Sequence, residues 1–590
     1  MKKILLSYMI LAGVMMITSC EKWLDKYPLD KMSPETFFSN ENELQAFSNT
    51  FYTIFPAASI YSEHVDNIVI SDLMEEMRDG RVIPASGGGW TWDQLRDFNT
   101  LLEYSENCKD TEVRNRYDAL ARFFRAYFYF EKVKRFGDVP WYSVPLGSAD
   151  PELRRPRDSR EFVMTKMLED IDFAIHYLPN ERDVYRVTKW TAVALKSRFC
   201  LFEGTFRKYH GIDGYEHDWK YYLELAADAS SEFMTNSGYS LYTEGGPSVC
   251  YRDLFASENA QGSEIILARD YNDGLAVYHN ANFYTLNVSY GKPGMTRKIA
   301  DSYLMSDGSR FTDKEGWKTM EFKDMCKNRD PRLAQTVRTP GYTRIGQTAK
   351  LTPDLAYTVT GLQIVKYVTG PTTNSDAYNK SYNDLPIFRT AEVLLNYAEA
   401  KAELGTLTQS DIDISIKKLR DRVGMPNLNM ADANANPDPY LSGAEAGYPN
   451  VTGENAGVIL EIRRERTVEL FDEGFRYYDI MRWKEGKTFE QPLLGLYIPQ
   501  KGAYDLDGDG TADVYFADKD ENVSGYPLVL KIDQDVLLSE GDHGFISPFK
   551  NLPGIWNEDR DYYYPIPIND RSLTGGALTQ NPGWNDGLGF

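Results

Sequence analysis

Trp90 and Trp92 directly follow the run Gly87-Gly88-Gly89, with Asp72, Arg78 and Arg81 upstream and Asn99 downstream. A sugar offers an apolar face of C–H groups edged by hydroxyls. A flat ring flanked by carboxylate, guanidinium and amide groups is the chemistry that holds one. Three glycines before the rings favour an exposed loop. The competing reading packs both indoles in the core and leaves Arg78 and Arg81 as solvated surface charges.

A second cluster is acidic. Asp505, Asp507, Asp509 and Asp513, with Gly510 among them, take positions 1, 3, 5, 9 and 6 of an EF-hand-like loop. Ca²⁺ requires about six to eight oxygens, and this spacing can wrap several carboxylates around one ion. Phe516 stands where the bidentate Glu belongs, and two Asp-Gly turns that form without metal are the alternative. Ca²⁺ is therefore a candidate cofactor whose role is to stiffen a loop.

Glu461, Glu465 and Glu469 fall four apart on one helical face, with Arg463, Arg464 and Arg466 between them. Glycosidase acids stand about 5 to 10 Å apart across an open cleft. Interleaved arginines point instead to a structural ion-pair lattice. The histidines, His64, His176, His210, His217, His279 and His543, form no HExxH pair, and neither a GxSxG elbow nor a P-loop occurs. No residue is assigned a catalytic role; the missing motifs weaken the case for an enzyme without excluding one, since glycosidase acids carry no local signature. Cys108, Cys200, Cys250 and Cys326 are too widely spaced for a CxxC motif, which leaves buried thiols or one disulfide of open connectivity.

The elements that must position these residues are mainly helical. From Arg116 to Phe136, Leu120, Phe123, Phe124, Tyr127 and Phe128 recur at helical spacing, and Gly137 and Pro140 follow as stop signals. Similar periods run from Arg160 to Leu178, Thr188 to Glu203, Trp219 to Met234, Ala391 to Leu404, Asp411 to Val423 and Val458 to Trp483. Ala192, Ala194, Ala226, Ala227, Ala398 and Ala402 would allow close approach, as in stacked helix-turn-helix repeats. The helix-pair scaffold is expected mainly over 40–240 and 385–485. Irregular, Gly-, Asn- and Tyr-rich insertions are expected over about 240–382, 425–455 and 487–551. Loops of this length are usually functional, and Phe283, Tyr284 and Tyr290 are candidates for ligand-facing rings.

With 65 Lys and Arg against 87 Asp and Glu, the net charge of −22 repels phosphate backbones, which argues against a nucleic-acid partner. At the start, Lys2 and Lys3 precede an apolar run from Ile4 to Ile17, the length of a signal-peptide core and too short for a spanning helix. Ile17-Thr18-Ser19-Cys20 closes it in the manner of a bacterial lipobox, so residues 1–19 are expected to be removed and Cys20 acylated, with palmitate among its lipids. That lipid would be the only membrane attachment.

Several strings, in order, resemble the SusD/RagB family of outer-membrane lipoproteins of Bacteroidetes. They are Trp23-Leu24-Asp25-Lys26-Tyr27-Pro28, Ser33-Pro34-Glu35-Thr36-Phe37-Phe38, Arg125 to Phe130 with Phe136-Gly137-Asp138-Val139-Pro140, and Arg186 to Trp190. Leu385 to Ala400, Ile462 to Arg466, Glu473 to Asp479 with Arg482-Trp483, Tyr564 to Pro567 and Gln580 to Trp584 complete the series. Their shared order across most of the chain is the specific signal.

The resemblance implies a mainly α fold: an α/α superhelix of tetratricopeptide-like helix pairs with long irregular loop insertions, spanning 20–590 as one SusD-like unit. It implies a non-catalytic receptor, lipid-anchored to the outer membrane and facing the cell exterior. Such a receptor captures oligosaccharide and passes it to a SusC-like TonB-dependent transporter. RagB-like members take peptides instead, and that alternative stays open beside the less favoured glycosidase reading. The resemblance also places an aromatic near the ligand at the start of the helix holding Leu95 to Leu102, hence Trp90 or Trp92. Further aromatic contacts are implied around Tyr303-Leu304-Met305, where Tyr284, Tyr290 and Trp317 stand.

Overall fold

Helices begin where the sequence supplies an acceptor for the first free N–H groups, and several end where it supplies glycine. The structure, a computed structural model, describes residues 37–57, 63–78, 81–371, 376–444 and 447–590. The leader, Cys20 and the strings from Trp23 to Thr36 lie outside the described residues. The scaffold helices are α1 (Glu41–Ser48), α2 (Asp93–Tyr104), α3 (Thr111–Phe136), α4 (Arg160–Tyr177) and α5 (Lys189–His210). They continue with α6 (Trp219–Asn236), α7 (Thr390–Leu404), α8 (Ala456–Glu469) and α9 (Arg476–Arg482). Asp110 caps α3 through the N–H groups of Glu112 and Val113, Asp218 caps α6, and Thr188 with Thr191 closes a reciprocal box on α5. Gly137, Gly211 and Gly405 end α3, α5 and α7 with positive φ.

Neighbouring helices pack in series, α2 on α3 and onward through α4, α5, α6, α7 and α8, giving a mainly α body of tetratricopeptide-like pairs. Close approach is built in. A Cβ on Gly204 of α5 would lie 2.7 Å from the Leu223 side chain and 2.9 Å from the Trp219 carbonyl of α6. Ser197 and Ser230 share a hydrogen bond of 2.7 Å between α5 and α6, and Asn396 of α7 donates to Ser197 at 3.0 Å. These buried hydroxyls thus satisfy one another across three helices.

Strands are short. β1 (Ile68–Val69) pairs antiparallel with β3 (Gly294–Met295), β2 (Ile265–Arg269) with β4 (Leu385–Arg389), and β5 (Tyr497–Ile498) with β9 (Gly544–Phe545). β6 (Gly502–Tyr504), β7 (Val514–Ala517) and β8 (Leu528–Lys531) form a three-stranded sheet, antiparallel on one side of β7 and parallel on the other.

Two expected helices are broken. The period from Val458 to Trp483 becomes α8 and α9, because Asp472 and Gly474 between them take φ of +61° and +80°. The period from Asp411 to Val423 becomes Gln409–Ile414 and Ile416–Arg422, separated at Ser415.

The α8 acids do form an ion lattice, but most of the answering arginines are not the interleaved ones. Glu469 is fully buried and meets Arg332, Arg389 and Arg422; Glu465 meets Arg332 and Arg420. Of the interleaved set only Arg464 approaches Glu461, at 3.5 Å. Burial pushes the Glu469 carboxyl up, yet the three guanidinium groups more than offset this and hold it below the usual carboxylate range. A permanently ionised, enclosed carboxylate cannot serve as a glycosidase acid.

Cys108, Cys200 and Cys250 are buried free thiols, and Cys326 is a half-buried one. Among the described residues no helix is long and apolar enough to cross a membrane.

Candidate ligand-binding site

The triple glycine does not expose both indoles. Gly87, Gly88 and Gly89 all take positive φ, and the turn folds back onto α3: Lys132 donates to the Gly89 carbonyl at 2.6 Å and Arg135 to that of Gly88 at 2.9 Å. Trp90 is driven inward, 5% exposed, edge-on to Phe136 at 4.9 Å and Trp92 at 5.2 Å. It is a core residue and not a stacking platform. Asn99 is a second correction. Its amide donates to the carbonyls of Tyr142 and Val144 and accepts from Arg125, so a buried side chain spends its polar atoms on the fold. Trp92 is half-buried beside Tyr142 at 5.6 Å and borders a cleft of about 440 Å³ that Arg96 and Arg154 also line, and on whose wall Trp90 and Asn99 stand as well. Arg81 donates to the Asp561 carbonyl at 2.9 Å and lies over the rings of Trp556 and Tyr564, fastening the C-terminal segment.

The β1–β3 pairing brings a different set together. Beyond it, the Ser71 N–H donates to the Gly291 carbonyl at 2.7 Å, which places Asp72 beside the turn that carries Tyr290. A Cβ on Gly294 would meet Thr360 Oγ1 at 2.1 Å, so only glycine allows β3 this close to its neighbour. Tyr290 is 39% exposed and Tyr378 63%. With Phe283 they form a surface cluster whose ring centroids stand 5.4, 5.5 and 6.4 Å apart. Val288 and Leu275 are exposed in the same stretch of chain. Asp72 and Arg78 are also exposed, 3.9 Å apart.

Tyr284 lies behind this cluster, buried, with its hydroxyl 2.7 Å from His64 Nε2. Burial pushes the His64 imidazole down to about 4, so it is neutral at pH 7. The short helix Ala281–Leu286 that carries Phe283 is pinned by Asn282, which donates to Thr369 Oγ1 at 2.9 Å and accepts from the Thr369 N–H at 3.1 Å. Trp317 is apart from this group, half-buried against Tyr440 at 5.5 Å. Tyr378 is the residue that sequence reasoning missed. It lies 88 positions from Tyr290, and no local spacing links the two.

In the acidic loop, one carboxylate oxygen each from Asp505, Asp507 and Asp513 lies within 4.8 Å of the others. Thr352 Oγ1 donates to Asp507 at 3.3 Å. Asp509 is outside that group and accepts from the Thr511 N–H at 2.7 Å. An all-oxygen donor set of this kind fits a hard cation such as Ca²⁺.

The family model described as the SusD family matches residues 258–584, and one described as starch-binding associating with outer membrane matches residues 22–201. A SusD-like protein of Formosa agariphila, P38, is 22% identical over 535 residues, covering 84% of this chain and 94% of that protein. A SusD-like protein of Bacteroides fragilis superposes with a TM-score of 0.68 at 21% identity over 95% of this chain and all of that one. A SusD-like carbohydrate-binding protein of the same species superposes at 0.67 and 19% identity, covering 91% and 99%. These likenesses establish the fold.

Proposed function

The chain belongs to the SusD family, and on that premise we propose that it is a non-catalytic glycan receptor of the outer membrane. It captures oligosaccharide at its aromatic surface and passes it to a SusC-like TonB-dependent transporter. Lipid on Cys20 would hold it at the membrane, facing the exterior. The observation that carries the reading is the cluster of exposed Tyr290 and Tyr378 with half-buried Phe283, beside Asp72 and Arg78. Rings give a sugar its stacking surface, and the charged pair offers partners to its hydroxyls. The carbohydrate-binding description of one structural neighbour supports the same ligand class. The Trp92 cleft, with Arg96 and Arg154, serves as an accessory contact. The carboxylates of Asp505, Asp507 and Asp513, with Asp509 nearby, would hold Ca²⁺ and stiffen the loop between β6 and β7.

The test is titration calorimetry of the full chain in detergent micelles against plant, host and microbial oligosaccharides and a peptide mixture. Glycan binding weakened by Tyr290→Ala supports the reading. Loss on Trp92→Ala alone moves the site to the cleft at the start of α2. Peptide binding without glycan binding makes the protein a RagB-like receptor, and shortened products make it an enzyme.

A further inference from the structure

A second cleft, of about 270 Å³, lies between α3, α5, β4 and α9 and shares no lining residue with the aromatic cluster. Pro56 and Gly474 stand exposed at its mouth, and Arg466 and Asp479 are buried at its floor. Four guanidinium groups border it, and Arg198, Arg269 and Arg466, unlike Arg482, each keep a terminal nitrogen free of hydrogen bonds among the described residues. Arg198 spends Nε and Nη2 on Glu392 and the Ile387 carbonyl, and Arg466 spends Nε on Asp479 and Nη1 on Asn396. Arg269, half-buried, donates only to the Phe55 carbonyl, at 3.3 Å, and forms no ion pair among the described residues.

The acids that line the cleft are already answered. Arg389 and Lys366 hold Glu473, Arg466 and Arg482 hold Asp479, and Lys134 holds Glu131. Glu392 answers Arg198 and Glu399 answers Arg482, so the charge left over is that of Arg269, in a chain whose net charge is −22. Phe475 and Tyr478 supply apolar wall.

We propose that this cleft binds a small oxyanion, the carboxylate or sulfate of a monosaccharide-sized molecule, with Arg269 as its principal contact. A guanidinium offers paired N–H donors in the plane that matches a carboxylate or sulfate. A cation without a partner at a partly desolvated site interacts with an anion more strongly than a solvated surface cation does. The volume, just below the usual range of ligand pockets, suits a group of monosaccharide size.

Calorimetry of the full chain in detergent micelles against sodium glucuronate, sodium sulfate and neutral glucose tests this. Glucuronate binding, with none for glucose, places the oxyanion on a sugar; sulfate binding alone places it on the free ion, and either supports the site. Arg269→Gln is expected to weaken binding at least about tenfold with an unchanged melting temperature. Binding of neither anion, or equal binding by Arg269→Gln, overturns the proposal. Crystals soaked in selenate give a second reading independent of that variant. An anomalous peak between the three arginines supports the site, and ordered water alone contradicts it. Neutral oligosaccharide binding at Tyr290 is a separate measurement, so either reading can fail without the other.

Discussion

Tyr290 and Tyr378 remain at the surface while Tyr284, six residues before Tyr290, is buried against His64, and this division makes the cluster a surface on a rigid backing. The same backing holds an unusual carboxyl. Glu63 is buried and accepts from Asn67 and the Arg476 N–H, with Asp479 and the Arg476 guanidinium nearby; burial pushes it up to about 7 from 4.5. The folded state thus keeps a proton that the unfolded chain releases above 4.5. Its stabilising contribution is complete below that pH and is lost as pH rises through about 7. Urea unfolding at pH 5 and pH 8 is expected to show this fall, and Glu63→Gln should flatten it by about 1–3 kcal/mol. A fall unchanged in that variant would assign it to other groups.

For the acidic loop, millimolar Ca²⁺ is expected to raise the melting temperature and Asp507→Asn to abolish the rise; no response to Ca²⁺ would make the loop a pair of Asp-Gly turns. The acidic spacing and Tyr290 were legible in the sequence because they are local patterns, whereas Tyr284, read there as a ligand-facing ring, is buried against His64. The burial of Trp90 and Asn99 was not, because it depends on Lys132, Arg135 and Arg125, contributed by α3.

At the scale of elements, periodicity located α3 to α8 but not α1 or α2, since an apolar stripe at helical spacing has few other uses. It overran α8 into α9 because the chain stays apolar through Leu470 and Phe471 while the backbone turns at Asp472 and Gly474. Nor could it name the partners of Glu469: Arg332 lies 137 residues away, and nothing in local spacing joins them. Glu469→Gln leaves three buried guanidinium groups short of a counter-charge and is expected to cost about 3–5 kcal/mol in urea unfolding. A cost under about 1 kcal/mol would mean that the lattice relaxes around the gap. Gly204→Ala tests the α5–α6 contact. Its Cβ meets the Trp219 carbonyl at 2.9 Å, so backbone must shift, and a loss of about 1–3 kcal/mol is expected in thermal melts. Unchanged stability would show the pair to be looser than its geometry.

The whole molecule combines a helical body with insertions, one of which exposes Leu275, Val277, Val288, Tyr290 and Tyr378. Its charge of −22 leaves neutral glycans unopposed and disfavours polyanionic partners. The most direct test of the account is calorimetry of the full chain with the tightest-binding oligosaccharide of the panel, repeated on Tyr290→Ala, Tyr378→Ala and Trp92→Ala. The account predicts losses of at least about tenfold for the two tyrosine variants, the scale of one ring stacked on a sugar, and a smaller loss for Trp92→Ala. Full affinity in both tyrosine variants would contradict it.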